Sequence, residues 1–237
     1  MERFDMSQPG YAGTVSDAAE RVTGFLRVVY GWMAVGLTLT AIVAWMVASS
    51  ETLVYTIATN RLLYWGLFIA QLGVVVFLSA RVQRLAPGAA AALFLAYSAL
   101  TGLTFAFILL AYTRESIATT FFVTAGTFGA LALYGTTTSR SLSGLGQFLF
   151  MGLIGIIIAS VVGIFWKSDG LQFVISFCGV ILFTLLTAYD AQRLKAMALA
   201  VPPGQAGSYA IVGALTLYLD FINLFLFLLR FLGGRRD

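Results

Sequence analysis

Apolar residues run along this chain in long blocks, not at the spacing of a single buried helix face. A spanning helix takes about 20 mostly apolar residues. Seven blocks are long enough: roughly 25–49, 62–80, 88–111, 116–134, 145–166, 171–194 and 209–230. Polar breakers separate them. Pro87-Gly88 opens the third block, Gly135–Gly146 (GTTTSRSLSGLG) divides the fourth from the fifth, and Val201–Ser208 (VPPGQAGS) divides the sixth from the seventh. The loops are too short for a soluble domain. The pattern predicts an all-α integral membrane protein with one seven-helix transmembrane domain over 23–232. A flexible polar tail over 1–22 precedes it and a short basic tail over 233–237 follows. In the fifth block Gly155, Ala159 and Gly163 recur at four-residue spacing, with Gly152 on a neighbouring face, which suits close helix packing in lipid.

Composition agrees. The 237 residues are 60% hydrophobic and 10% charged, with a mean hydropathy of +0.93. A soluble domain has about 45–50% apolar and about 25% charged residues. There is no histidine, which removes the usual near-neutral titrating group, haem and most zinc sites, and Ser–His catalysis. Cys178 is the sole cysteine, so no intramolecular disulfide forms. The net charge of +4 is explained by membrane topology and implies no nucleic-acid partner. The acids Glu2, Asp5, Asp17 and Glu20 argue against a signal or transit peptide, so the first helix is expected to direct insertion. Basic residues in the loops favour a cytoplasmic N-terminus, and the Ala/Gly/Arg-rich composition suggests a bacterial plasma (inner) membrane. The basic C-terminal GGRR disagrees with an outside end, leaving open whether the last helix crosses or re-enters.

Asp220 is the feature that asks for chemistry. It sits in ALTLYLDFINLFLFLLR (214–230), where no other charge occurs before Arg230. An acid at a spanning-helix centre is expensive, roughly 2.5–3.5 kcal/mol on insertion scales, and normally faces a partner or a wet cavity. Asp190, near the end of the preceding block, is the candidate partner. If the sixth helix runs to about Ala200 and the seventh begins near Tyr209, both carboxylates lie about 15 Å from the turn, given about 1.5 Å rise per residue. Antiparallel packing then brings them level. Thr216 and Asn223 share a side of the last helix with Asp220, and Arg230 extends that stripe. Thr187 and Arg193 stand one turn before and after Asp190.

Two carboxylates close together in a low dielectric cannot both ionise cheaply, so the pair takes up protons as a unit. A shared proton would hold the helices together, and its loss would create repulsion that a divalent cation or helix separation relieves. Oxygen donors of this kind suit calcium, with water and backbone carbonyls completing the shell. Plainer readings stand beside this one. Asp190 opens the polar stretch DAQRLK and could be a solvated acid paired with Arg193. Asp220 could form a structural ion pair with Arg81 or Arg27.

The same residues carry a resemblance. AYDAQRLK (188–195) and LYLDFINLFLFLLR (217–230) resemble the last two helices of the Bax-inhibitor-motif transmembrane family. YGTTTSRSLSGLGQFLFMGLIGIIIAS (134–160) is similar to its central stretch, and GWMAVGLTLTA (31–41) to its first helix. The match runs from about residue 23 to the end. It implies a seven-helix bundle whose last helix is surrounded by the other six. It also implies a pH-sensitive calcium leak channel, with calcium permeant or weakly bound and no tight cofactor. The family's paired aspartates fall on Asp190 and Asp220. The basic residue that latches the pair closed falls on Arg81, with Arg84 close by, and the arginine near the far end of the last helix on Arg230. Where this chain has Gln71 some relatives carry an acid; if that acid pairs with Arg230 in them, the resemblance implies here a weaker hydrogen bond, donated by Arg230 to the Gln71 amide oxygen, in place of an ion pair. An acid is also frequent at the position of Ser141.

Other functions compete. A membrane partner that restrains a protease or a cell-death or stress factor would use the N-terminal tail and Arg235-Arg236 as handles. A proton-coupled transporter would use the same carboxylates. An enzyme is not expected: Ser143 has no histidine to activate it. Asp190 follows a tyrosine as in intramembrane aspartyl proteases, but Asp220 lacks the GLGD context of their second aspartate.

Overall fold

The structure is a computed structural model. It describes residues 9–81, 84–166, 168–234 and 236, with side chains from Asp17 onward except that of Pro203. Eight α-helices follow one another: α1 (Pro9–Ala48), α2 (Glu51–Thr59), α3 (Arg61–Arg81), α4 (Pro87–Ala111), α5 (Arg114–Thr137), α6 (Gly146–Phe165), α7 (Asp169–Ala200) and α8 (Ala206–Leu232). Seven of them are long and apolar enough to span. The nine-residue α2 is not: at about 1.5 Å per residue it covers under half of a hydrocarbon core about 30 Å thick.

Local chemistry sets the boundaries. Ser50 accepts from the Leu53 N–H at 3.4 Å to start α2, and Asn60 accepts from the Leu63 N–H at 3.1 Å to start α3. Pro87 occupies the first turn of α4, where its missing N–H costs nothing. Thr113 caps α5 through the Ser116 N–H at 3.2 Å, and Ser168 caps α7 with Asp169 behind it in the first turn. Residues 9–22, expected as a tail, belong to α1; the remainder of that expected tail, 1–8, lies outside the described residues.

The last helix is central. In α8, 72% of the most apolar window is buried, against at most 39% in any other span. It packs on α1, α4, α5 and α7. Small residues permit the tight crossings around it. A Cβ on Gly36 would strike the Phe94 ring, and one on Gly102 would lie 2.9 Å from the Thr40 carbonyl oxygen, so α1 and α4 nearly touch. The tightest crossing joins α5 to α7, where Gly135 abuts the backbone of Ala188. In α6, the glycines with close neighbours are Gly146 against Tyr189, Gly152 against Leu182 and Gly163 against Gln172; Gly155, expected in the packing stripe, faces open space.

α8 crosses the bundle and does not re-enter. The residues after it are strapped along the α4–α5 turn. The Thr113 N–H donates to the Gly234 carbonyl at 3.2 Å, the Arg236 N–H to the Ala111 carbonyl at 3.0 Å, and the Gly234 N–H to Ser116 Oγ at 2.9 Å. Arg235 and Asp237 lie outside the described residues.

Candidate functional site

Asp190 on α7 and Asp220 on α8 come together inside the bundle. Their exposures are 8% and 4%, and their carboxyl groups lie within hydrogen-bonding reach of each other. Among the described residues no N–H or O–H group donates to the buried Asp220 Oδ2. An ionised carboxylate only accepts hydrogen bonds. Two such groups in contact therefore hold a proton between them or place like charges face to face. Asp190 is thus not a solvated helix-end acid. Arg193 does act on it electrostatically, but from an exposed position. Among the described residues no ion pair joins either aspartate to Arg81 or Arg27.

The other expected members of the site lie apart from the pair. Arg81 is exposed at the end of α3, with its guanidinium 5.9 Å from the centroid of the Phe77 ring on its own helix, a cation–π geometry. No latch to the aspartates is formed. Arg230 does the same at the far end of α8, 5.7 Å from the Phe227 ring centroid. Gln71 donates to the Leu100 carbonyl at 3.4 Å, so the expected Gln71–Arg230 bond is absent and Gln71 ties α3 to α4. Thr216 and Asn223 turn back onto their own helix, donating to Val212 O at 3.1 Å and Leu219 O at 2.8 Å. Each thus bonds a carbonyl of its own helix, and among the described residues neither donates to Asp220. Thr187 is fully buried but donates to Phe183 O at 2.7 Å.

A second buried polar cluster was not expected. Tyr218, two residues before Asp220, is fully buried with its hydroxyl 2.6 Å from Thr40 Oγ1. Thr40 in turn donates to the Ser98 carbonyl at 2.9 Å, so the tyrosine hydroxyl supplies the first hydrogen of the chain. Phe94 and Tyr97 meet the Tyr218 ring edge to face. These bonds lock α8 to α1 and α4 in register. A tyrosine two residues before Asp220 in a largely apolar run, with hydroxyl residues elsewhere in the spans, was the available signal.

The turn beyond the pair is clamped. Gln192 Nε2 donates to the Arg140 carbonyl at 2.8 Å while its Oε1 accepts from the Leu142 N–H at 2.7 Å, and Lys195 Nζ donates to the Thr136 carbonyl at 2.7 Å. Gln192→Ala removes two of these bonds, each worth about 1 kcal/mol. Faster amide hydrogen exchange over 138–145 is the expected result, with the core of α8 unchanged. Unaltered exchange there would show that the clamp does not hold the turn.

The family model described as inhibitor of apoptosis-promoting Bax1 matches residues 22–237. The inner membrane protein YbhL of Escherichia coli K12 is 54% identical over 215 residues, covering 90% of this chain and 92% of that protein. An uncharacterized protein of Deinococcus radiodurans is 45% identical over 95% of this chain and 96% of its own length. An uncharacterized membrane protein of Streptococcus pyogenes serotype M1 is 37% identical over 90% and 93%. With seven apolar spans, the last of them central, and a match over nearly its whole length, this chain is a multi-pass membrane protein of the Bax inhibitor family.

Proposed function

We propose that the protein is a passive, pH-gated cation pathway with calcium as the preferred ion, closed by the contact between Asp190 and Asp220. The observation that carries this is the burial of two carboxyl groups within hydrogen-bonding reach of each other, with no other donor to Asp220 Oδ2 among the described residues. A buried acceptor left unmatched costs about 1–3 kcal/mol, and a proton shared between the two carboxyl groups supplies the missing donor. One proton shared by the pair closes the path. Its loss leaves two negative charges in a low-dielectric core, relieved by a divalent cation or by separation of α7 from α8. Neither residue needs a tightly bound cofactor for this, and no bond is made or broken, so the activity is transport and not catalysis. The inner-membrane relative supports an inner-membrane location here, and the loop charges support a cytoplasmic N-terminus.

The test is calcium flux into liposomes holding the purified protein. Asp220→Asn keeps the shape and removes the titration, so the pH dependence of flux is expected to vanish. A variant that keeps the full pH response would remove the pair from the gate. Uphill uptake driven by a proton gradient would make the protein a coupled transporter instead. The reading as a regulator of a membrane protease predicts no flux in any variant.

A further inference from the structure

A cleft of about 660 Å³ opens at the end of the bundle remote from the α7–α8 turn. That size falls within the range of about 300–1,000 Å³ typical of small-molecule sites. Its walls come from α1, α4, α5 and α8. α1 packs on α4 and α8, and α5 packs on α7 and α8, which leaves the gap between α1 and α5. Trp45 on α1 and Phe122 on α5 line it while 68% and 73% exposed, so the cleft opens sideways, toward hydrocarbon. The floor is Phe225, Phe221 and Ile222 of α8.

Among the described residues the charges at this cleft have one sign: Arg114, the first residue of α5, and Arg236 both line it, and no acid does. Among the described residues neither arginine has an ion-pair partner. Glu115 is exposed beside Arg114, but adjacent helical residues do not face each other. Arg236 is held in place by its own backbone: the bond from its N–H to Ala111 fixes the tail across the α4–α5 turn. Two guanidinium groups at the mouth repel an entering cation, so the cleft is ill suited to be part of the proposed calcium path.

We propose that the cleft is a binding site for an anionic phospholipid drawn from the bilayer. An acyl chain enters between α1 and α5, and the headgroup phosphate sits on Arg114 and Arg236. Guanidinium groups match phosphate oxygens with paired N–H donors, and basic pockets between spanning helices are a known form of headgroup site. An apolar slot ending in two cations selects an amphiphile with a negative head over a zwitterionic one.

Trp45 makes the proposal measurable. In the variant Trp32→Phe/Trp65→Phe/Trp166→Phe it is the only tryptophan, and bromine on an acyl chain quenches its fluorescence on contact. The protein is reconstituted in equimolar phosphatidylglycerol and phosphatidylcholine, with either lipid brominated. Brominated phosphatidylglycerol is expected to quench several-fold more effectively. Each of Arg114→Gln and Arg236→Gln should lower that preference by about fivefold at most, and together they should abolish it. Ala118→Leu, which narrows the cleft, should reduce quenching by both lipids. Native mass spectrometry of the protein with all its tryptophans, released from the same mixed vesicles, gives the comparison independently of the tryptophan substitutions. Equal quenching and equal retention of the two lipids would overturn the proposal. So would a preference that survives loss of both arginines, or that soluble glycerophosphate removes as readily in the Ala118→Leu variant as in the parent.

Discussion

Gly135→Ala is expected to lower the thermal stability of the purified protein by about 1–3 kcal/mol, the usual cost of overpacking, and Gly135→Val by more. The reason is local. A Cβ at this position would overlap the carbonyl oxygen of Ala188, a backbone atom that no rotamer change can move aside. Either α5 or α7 has to shift. The control lies on the same helix, because a Cβ on Gly129 meets nothing within 4 Å. Replacing a helical glycine by alanine normally gains up to about 1 kcal/mol, so Gly129→Ala should be neutral or stabilising while Gly135→Ala has the opposite sign. Equal melting temperatures for the two variants would show that this crossing is looser than described. The effect also reaches the candidate site. Ala188 is two residues from Asp190, so displacing α7 here moves one carboxyl relative to the other. The Gly135→Ala variant is expected to shift the pH midpoint of calcium flux as well as the melting temperature.

That crossing also shows what a sequence hides. Gly135 stands at the start of GTTTSRSLSGLG and reads as the edge of a linker, whereas it still belongs to α5 and makes its closest approach. Small residues reveal that two helices can approach, but not which two; Gly155 and Gly135 look alike until their neighbours are known. The spans were legible because lipid imposes length and composition on each helix separately. The pairing of Asp190 with Asp220 was legible because burying either alone is costly and the hairpin register limits the choice of partner. The roles of Arg81, Arg230 and Gln71 were not, since their distal groups choose among several partners. Two of the three stack on aromatic rings of their own helices. α2 escaped because nine residues fall below any spanning window, and only Ile57 of it is buried. The Thr40–Tyr218 contact joins residues 178 apart, so no local pattern could announce it.

Calcium flux is expected to rise with pH, and the size of the change follows from the pair. On the proposed gate, the two carboxyl groups share a proton in the closed arrangement and are both ionised in the separated one. The closed form therefore binds the extra proton, and linkage makes acid favour it. Losing the proton while the groups remain in contact costs about 4 kcal/mol, the repulsion of two unit charges about 4 Å apart at an effective dielectric of about 20. Divided by RT, that is a bias of up to about 1,000-fold between the acid and alkaline limits. Arg193 acts on Asp190 from an exposed position and offsets part of it. Arg81 decides the sign. If its guanidinium left Phe77 and bound the ionised pair, the charged form would become the latched one, and acid would open the path. With Arg81 stacked on its own helix, Arg81→Gln should leave the slope of flux against pH unchanged, while Asp190→Asn should flatten it. A flux that falls as pH rises, and that loses this dependence in Arg81→Gln, would move control from the shared proton to the arginine.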